Sequence, residues 1–320
     1  MSHPFAGVRW IWMNGRLVEF EKATIHVMSH IVHYGSGVFE GIRCYKTPRG
    51  PAVFRLAEHM ERLESSAKVY RMPVPFTTPE LSDAVIETIR VNELGSCYIR
   101  PLVFRGFGPM GVNPLRSPVE VTIAAWPWGR YLGDDACEKG IDVCVSSWRR
   151  SSPNSLPAVA KGTGNYLGAQ LIKMEALTNG YEEAIALDTG GAVSEGPGEN
   201  VFVVHDGVLI TPPSAASLLP GITRSTILTL ARKLGIPVRE EMIARGLLYT
   251  CEEIFLTGTA AELTPVRSVD RIPVGSGCPG EITRRLLDEF TGIVTGEIED
   301  SYGWLTPVPV ASTAGTRGLA

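Results

Sequence analysis

Apolar positions along the chain change period several times, and each change marks an element. Trp10-Ile11-Trp12-Met13 and Arg16-Leu17-Val18-Glu19-Phe20 flank Asn14-Gly15, the dipeptide best suited to a two-residue turn, so the chain opens as a β-hairpin. Leu56, Met60, Leu63 and Ala67 recur at helical spacing, with His59 and Tyr70 on the same side. A second helix opens after Thr78, with Pro79 at its first position and Leu81, Val85, Ile86 and Ile89 along one stripe. Strand-like runs follow at Cys97–Phe104 and Val119–Trp126. The order of strands, helices and strands predicts an α+β arrangement rather than repeated βαβ units.

The stretch Pro127-Trp128-Gly129-Arg130-Tyr131-Leu132-Gly133-Asp134-Asp135, rich in turn formers and aromatics, reads as a linker. It divides the chain into residues 1–127, an interdomain loop at 128–136 and residues 137–320. Beyond it, Ile141–Ser147 alternates as a strand, and Tyr166–Thr178 reads as a helix closed by Asn179-Gly180. Ala184–Asp188 reads as a strand, and Val201–Val204 and Val208–Ile210 pair across Asp206-Gly207. A helix Ile222–Leu234 opens after Pro220-Gly221 and stops at Gly235, followed by a strand at Glu253–Thr257 and a helix near Glu281–Phe290. From about Thr306 the composition predicts a loosely ordered tail.

The 320 residues carry a net charge of −4, which supplies no broad basic field for nucleic acid or an anionic membrane surface. No apolar run is long enough to span a bilayer, and no signal peptide is visible. The six cysteines form no C-x-x-C pair, so free thiols in a reducing cytoplasm are expected. His26, His30 and His33 lack acidic ligands at matching spacing, and no metal is expected. Gly106-Phe107-Gly108-Pro109-Met110-Gly111 fits G-x-G-x-x-G. However, Asn113-Pro114 blocks the helix that a dinucleotide needs, which removes the basis for a nicotinamide dehydrogenase.

Four stretches carry chemistry. Lys161 follows the mostly apolar run Leu156-Pro157-Ala158-Val159-Ala160 and precedes Gly162-Thr163-Gly164. A lysine in a partly dry pocket can lose its proton and attack a carbonyl, although a lysine with its stem on apolar surface and its head in water has the same neighbours. Ser194-Glu195-Gly196-Pro197-Gly198-Glu199-Asn200 places carboxylates in a glycine-rich loop, where a buried one needs a cationic partner. Leu219-Pro220-Gly221-Ile222-Thr223-Arg224 opens a helix whose free amides suit a phosphate. Thr257-Gly258-Thr259-Ala260-Ala261 ends a strand in small residues that can offer amides and a hydroxyl to an anion.

In this order, with Leu209-Ile210-Thr211 between the second and third, these stretches resemble the fold-type IV (class IV) pyridoxal phosphate (PLP) aminotransferases. His33-Tyr34-Gly35-Ser36-Gly37-Val38-Phe39-Glu40-Gly41-Ile42-Arg43, Glu58-His59-Met60-Glu61-Arg62-Leu63, Tyr98-Ile99-Arg100-Pro101 and Glu262-Leu263-Thr264-Pro265-Val266-Arg267 extend the resemblance, the last two toward the branched-chain amino acid branch. The resemblance runs from about Trp10 to Leu305, and Pro197 departs from a family loop that usually has a small non-proline residue there.

The resemblance implies a small α/β N-terminal domain and a larger C-terminal domain with a barrel-like sheet. It makes Lys161 the Schiff-base and proton-transfer residue, with Arg62, Tyr166, Glu195, Gly221, Ile222, Thr223 and Thr259 holding PLP. The implied substrate residues are Tyr34, Phe39, Arg43, Tyr98, Arg100, Met110, Trp128, Tyr131, Thr259 and Ala260. Arg100 would receive glutamate's distal carboxylate, the loop at 127–135 would act as a lid, and Tyr34 and Met110 would reach across from a second subunit. The smallest complete enzyme would then be a homodimer, with higher homo-oligomers open. The implied reaction is reversible ping-pong transamination between leucine, isoleucine or valine and 2-oxoglutarate. A D-amino acid aminotransferase, an aminodeoxychorismate lyase and an inactive binding module share the fold and stand as alternatives.

Overall fold

The structure, a computed structural model, describes residues 5–129, 132–133 and 135–309. Among them the strands form two sheets of eight and nine strands.

In the first sheet the pairings are antiparallel, in the order Leu305–Pro307, Gly50–Phe54, Ile42–Thr47, Cys97–Arg105, Val119–Trp126, Trp10–Met13, Arg16–Glu19, with Gly37–Phe39 also on Cys97–Arg105. Alternation along the strands assigns their faces. Cys97, Ile99, Val103, Ile42 and Cys44 pack into one core with the helices Leu56–Val69 and Thr78–Val91. Tyr98, Arg100 and Arg43 lie between those positions in sequence and point to the opposite face. The Asn14-Gly15 hairpin forms as expected, with both residues at positive φ. The second helix starts one residue earlier than Pro79. Its cap is Thr77, in a capping box with Glu80.

The second sheet closes on itself. Val193–Glu195, Glu183–Leu187, Ile141–Arg149, Glu262–Val269, Glu253–Gly258 and Asn200–His205 pair in that order, and Glu195 pairing with Asn200 seals a six-stranded barrel. Its strands are buried on both faces: Val201 and Val203 join one apolar cluster, Phe202 and Val204 the next. That is why Val201–Val204 reads as a continuous apolar run. The helices Ile222–Lys233 and Glu281–Thr295 cover the second cluster through Ile227, Leu230, Leu286 and Phe290.

Two expectations need correction. The tail is not loose from Thr306: Thr306 and Pro307 belong to the strand Leu305–Pro307, which pairs with Gly50–Phe54. The expected unit 137–320 therefore gives up this strand to the first sheet, where an edge position accommodates Pro307. The last helix runs on to Thr295 rather than ending near Phe290, because Gly292 packs against Ile298 and the left-handed Gly296 provides the stop. The glycine motif at 106–111 opens no helix and leads by loop to Val119–Trp126.

Candidate active site

Lys161 is fixed through its backbone. Its amide donates to Ser66 Oγ at 3.1 Å, from the helix Leu56–Val69, and its carbonyl accepts from the Phe39 amide at 3.0 Å. Gly162 forms a bridge to Val38. The side chain is thereby aimed into a solvent-open cleft bounded by Arg62 of the helix Leu56–Val69, the barrel rim at 257–259 and the helix start at Gly221, where Nζ donates to Tyr166 Oη at 2.6 Å.

The cleft brings together Arg62, Lys161, Tyr166, Glu195, Gly221, Ile222, Thr223 and Thr259, all eight residues expected to hold the cofactor. Gly221 caps the helix Ile222–Lys233 without a side-chain hydrogen bond, which leaves the helix start to the cleft. A Cβ on Gly221 would collide with Asn200 Oδ1, so the position requires glycine. Asn200 in turn donates to Glu195 Oε2 at 3.2 Å and to the Leu219 carbonyl at 2.9 Å, locking the barrel seam to the helix start.

The neighbouring wall is aromatic. Lys161 Nζ lies 5.1 Å from the centre of the Phe39 ring, and Phe39 packs on Tyr166 with centroids 4.7 Å apart. Arg100 stacks over Phe39 at 4.7 Å and donates to Tyr98 Oη at 3.3 Å, and Tyr98 packs edge-on to Trp128 at 4.5 Å. Gly41 lies against the Tyr98 hydroxyl, where a Cβ would collide. Arg43 bonds the Ala260 carbonyl at 3.4 Å. Tyr34 and Met110 are exposed and are not among the residues lining the cleft in this single chain. Tyr131 lies outside the described residues.

Two supporting groups went unseen in the sequence. Glu40 is fully buried and accepts from Arg62 Nε at 2.7 Å, Arg62 Nη2 at 2.8 Å and His59 Nδ1 at 2.7 Å. Its only sequence signal is a carboxylate inside the run Val38-Phe39-Glu40-Gly41-Ile42. Burial pushes its pKa up, but the Arg62 charge and the hydrogen bonds from Arg62 and His59 outweigh this and hold it far below the usual carboxylate range. Arg150 pairs with Glu195 Oε1 at 2.7 Å. Burial raises the Glu195 carboxyl, against Arg150, the Leu219 amide, Lys161 and Arg62. At Pro197 the loop is held by Gly196 N on the Glu199 carbonyl and Gly198 N on Glu199 Oε2, so the donor that proline lacks is not called on.

The family description "Amino-transferase class IV" matches residues 37–269. The chain belongs to the class IV aminotransferases. A relative from Salmonella typhimurium named branched-chain-amino-acid aminotransferase is 56% identical over 300 residues, 93% of this chain and 97% of that protein. The crystal structure of the Escherichia coli branched-chain amino acid aminotransferase superposes with a TM-score of 0.93 at 55% identity, covering 94% of this chain and all of that one. The branched-chain amino acid aminotransferase from Thermobaculum terrenum, in its PLP form, gives 0.89 at 36% identity, covering 96% of this chain and all of that one.

Class IV aminotransferases use PLP, and the cleft fits it. Among the described residues, Thr257 Oγ1 and Arg150 Nε are buried without a hydrogen-bond partner, and both residues line the cleft. Arg62 and the open helix start at Gly221 suit a phosphate, and the Glu195 carboxylate suits a ring cation.

Behind the acidic loop, Glu183 pairs with Lys173 at 2.7 Å, and burial together with the Glu183 charge pushes Glu199 up to about 8. The native state then binds more protons at Glu199 than the unfolded chain, whose value is 4.5. Stability falls as pH rises between those two values and is level above them. Glu199→Gln removes this slope. Urea titrations of both proteins at several pH values are expected to show the variant gaining on the parent as pH rises across that window. Parallel curves would mean that Glu199 is ionised in the native protein.

Proposed function

We propose that this chain transfers the amino group between branched-chain L-amino acids and 2-oxoglutarate, reversibly, with PLP held on Lys161. The observation that carries this reading is the placement of Lys161 Nζ against Tyr166 Oη, between the phosphate-suited helix start and the Phe39–Tyr98–Arg100 wall. PLP, when bound, supplies the electron sink that lets an amino group leave one carbon skeleton and join another.

The chain's own residues do the rest. Arg62, Ile222, Thr223 and Thr259 hold the phosphate, Tyr166 orients the ring through its hydroxyl, and Glu195 balances the ring cation. Lys161 Nζ takes the proton from the substrate Cα. Tyr98 and the Thr259–Ala260 turn receive the α-carboxylate that all the substrates share. Phe39, Tyr98 and Trp128 give an apolar branched side chain a dry surface, and Arg100 offers its guanidinium to glutamate's distal carboxylate.

A homodimer fits the exposed apolar residues. Leu167, Leu171, Met174 and Leu177 line one side of the helix Tyr166–Thr178, and Tyr34 and Met110 stand uncovered until a second chain uses them. We place the enzyme in the cytoplasm, in keeping with free, mostly buried cysteines.

The test is spectroscopic. Purified protein carrying PLP is expected to be yellow, to bleach with L-glutamate alone and to recover with 4-methyl-2-oxopentanoate. A yellow protein that ignores L-glutamate and bleaches with D-alanine would move the function to the D-specific branch, and a protein that PLP cannot colour would overturn the assignment.

A further inference from the structure

Arg43 does something the sequence did not suggest. It is buried in the strand Ile42–Thr47, on the face opposite the helices, yet its guanidinium goes mainly to main-chain carbonyls. Nη2 donates to the Gly129 carbonyl at 3.1 Å and reaches the Trp128 carbonyl at 3.5 Å. Nη1 donates to the Ala260 carbonyl at 3.4 Å and lies 3.5 Å from Glu262 Oε1. Glu262 itself sits at φ +55°, a left-handed conformation that costs a side-chain-bearing residue energy unless its surroundings hold it. One side chain thus joins three segments: the first-sheet strand, the chain leaving that sheet at Trp128–Gly129, and the turn at the barrel rim that carries Thr259 and Ala260. Across the strand pair Arg43 sits opposite Tyr98, whose ring packs on Trp128.

We propose that Arg43 is a positioning residue for specificity: it sets the spacing between the Trp128 wall and the Ala260 turn, and so the width of the side-chain pocket, without itself binding substrate. A planar guanidinium can serve three carbonyls and a carboxylate at fixed angles, which a lysine ammonium on a flexible stem cannot. The inference rests on reading this pocket as the substrate site.

The experiment compares the PLP-loaded parent with Arg43→Gln and Arg43→Lys. It measures kcat and KM for leucine, valine and glutamate, together with amide hydrogen exchange. Loss of the cross-link is expected to shift the leucine-to-valine ratio of kcat/KM by about 3–10-fold. Exchange is expected to quicken at 127–129 and 259–262 while the helix Leu56–Val69 stays protected. Arg43→Lys keeps a cation beside Glu262, so it keeps a readable variant if Arg43→Gln folds poorly, and it is expected to shift selectivity in the same direction.

A uniform rise in KM for every donor, with exchange unchanged, would mean that Arg43 binds the shared carboxylate directly and would overturn the proposal. So would faster exchange throughout with selectivity intact, the mark of a merely structural residue. Failure of the parent to use leucine, valine or glutamate would instead sink the functional reading, while the exchange data would still decide whether Arg43 holds the two segments.

Discussion

Lys161→Ala is expected to cost about 10⁴-fold or more in turnover, because in the proposed reaction one side chain both holds the cofactor and moves the proton. Among the described residues lining the cleft there is no other lysine. Lys161 is positioned by Ser66, Phe39 and Gly162, and Lys173 is committed to Glu183 at 2.7 Å. The phosphate-suited groups Arg62, Gly221, Ile222 and Thr223 remain intact in the variant, so PLP is expected to bind without a covalent link and to dialyse away faster. Steady-state assays with L-glutamate and 4-methyl-2-oxopentanoate, alongside retention of PLP on dialysis, check both halves. A variant with near-parent turnover would remove Lys161 from the mechanism.

What the sequence made legible was local. Lys161 stood out by its small neighbours, Glu195 by its glycine loop, and the phosphate end by a helix start at Pro220-Gly221. The run at Cys97–Phe104 was legible as a strand, and in the sheet its alternation puts Tyr98 and Arg100 on one face. What stayed hidden was long-range and short in sequence. The strand that seals the barrel, Val193–Glu195, has three residues and no period to read. The strand Leu305–Pro307 looked like tail because its partner lies some 250 residues earlier, and pairing at that distance leaves no local trace. Arg150 follows Arg149 and looks like surface charge, yet it neutralises the buried Glu195. Arg62 was legible through the resemblance, but the carboxylate that orients it, Glu40, lies 22 residues earlier, just past the strand Gly37–Phe39.

That hidden carboxylate carries the largest expected effect on stability. Glu40→Ala is expected to destabilise the protein by about 3–5 kcal/mol, the cost of removing one partner of a buried ion pair. Arg62 would lose both bonds that fix its plane, at 2.7 and 2.8 Å, and keep only Nη1 on the Pro220 carbonyl at 3.0 Å; His59 would lose its partner as well. Burial pushes the pKa of His59 down, and an imidazole in either protonation state carries no negative charge that could replace the carboxylate. The pH dependence follows from the sign of the shift at Glu40, whose native pKa is depressed. Its contribution is fully present above the unfolded carboxylate value and is lost only as pH falls through the much lower native one. The gap between parent and variant should therefore be constant from neutral pH down to about 5 and close only in stronger acid. Chemical denaturation across that range, with PLP affinity measured at neutral pH, tests the argument. A variant as stable as the parent and equally able to hold PLP would show that Arg62 does not depend on Glu40 for its position.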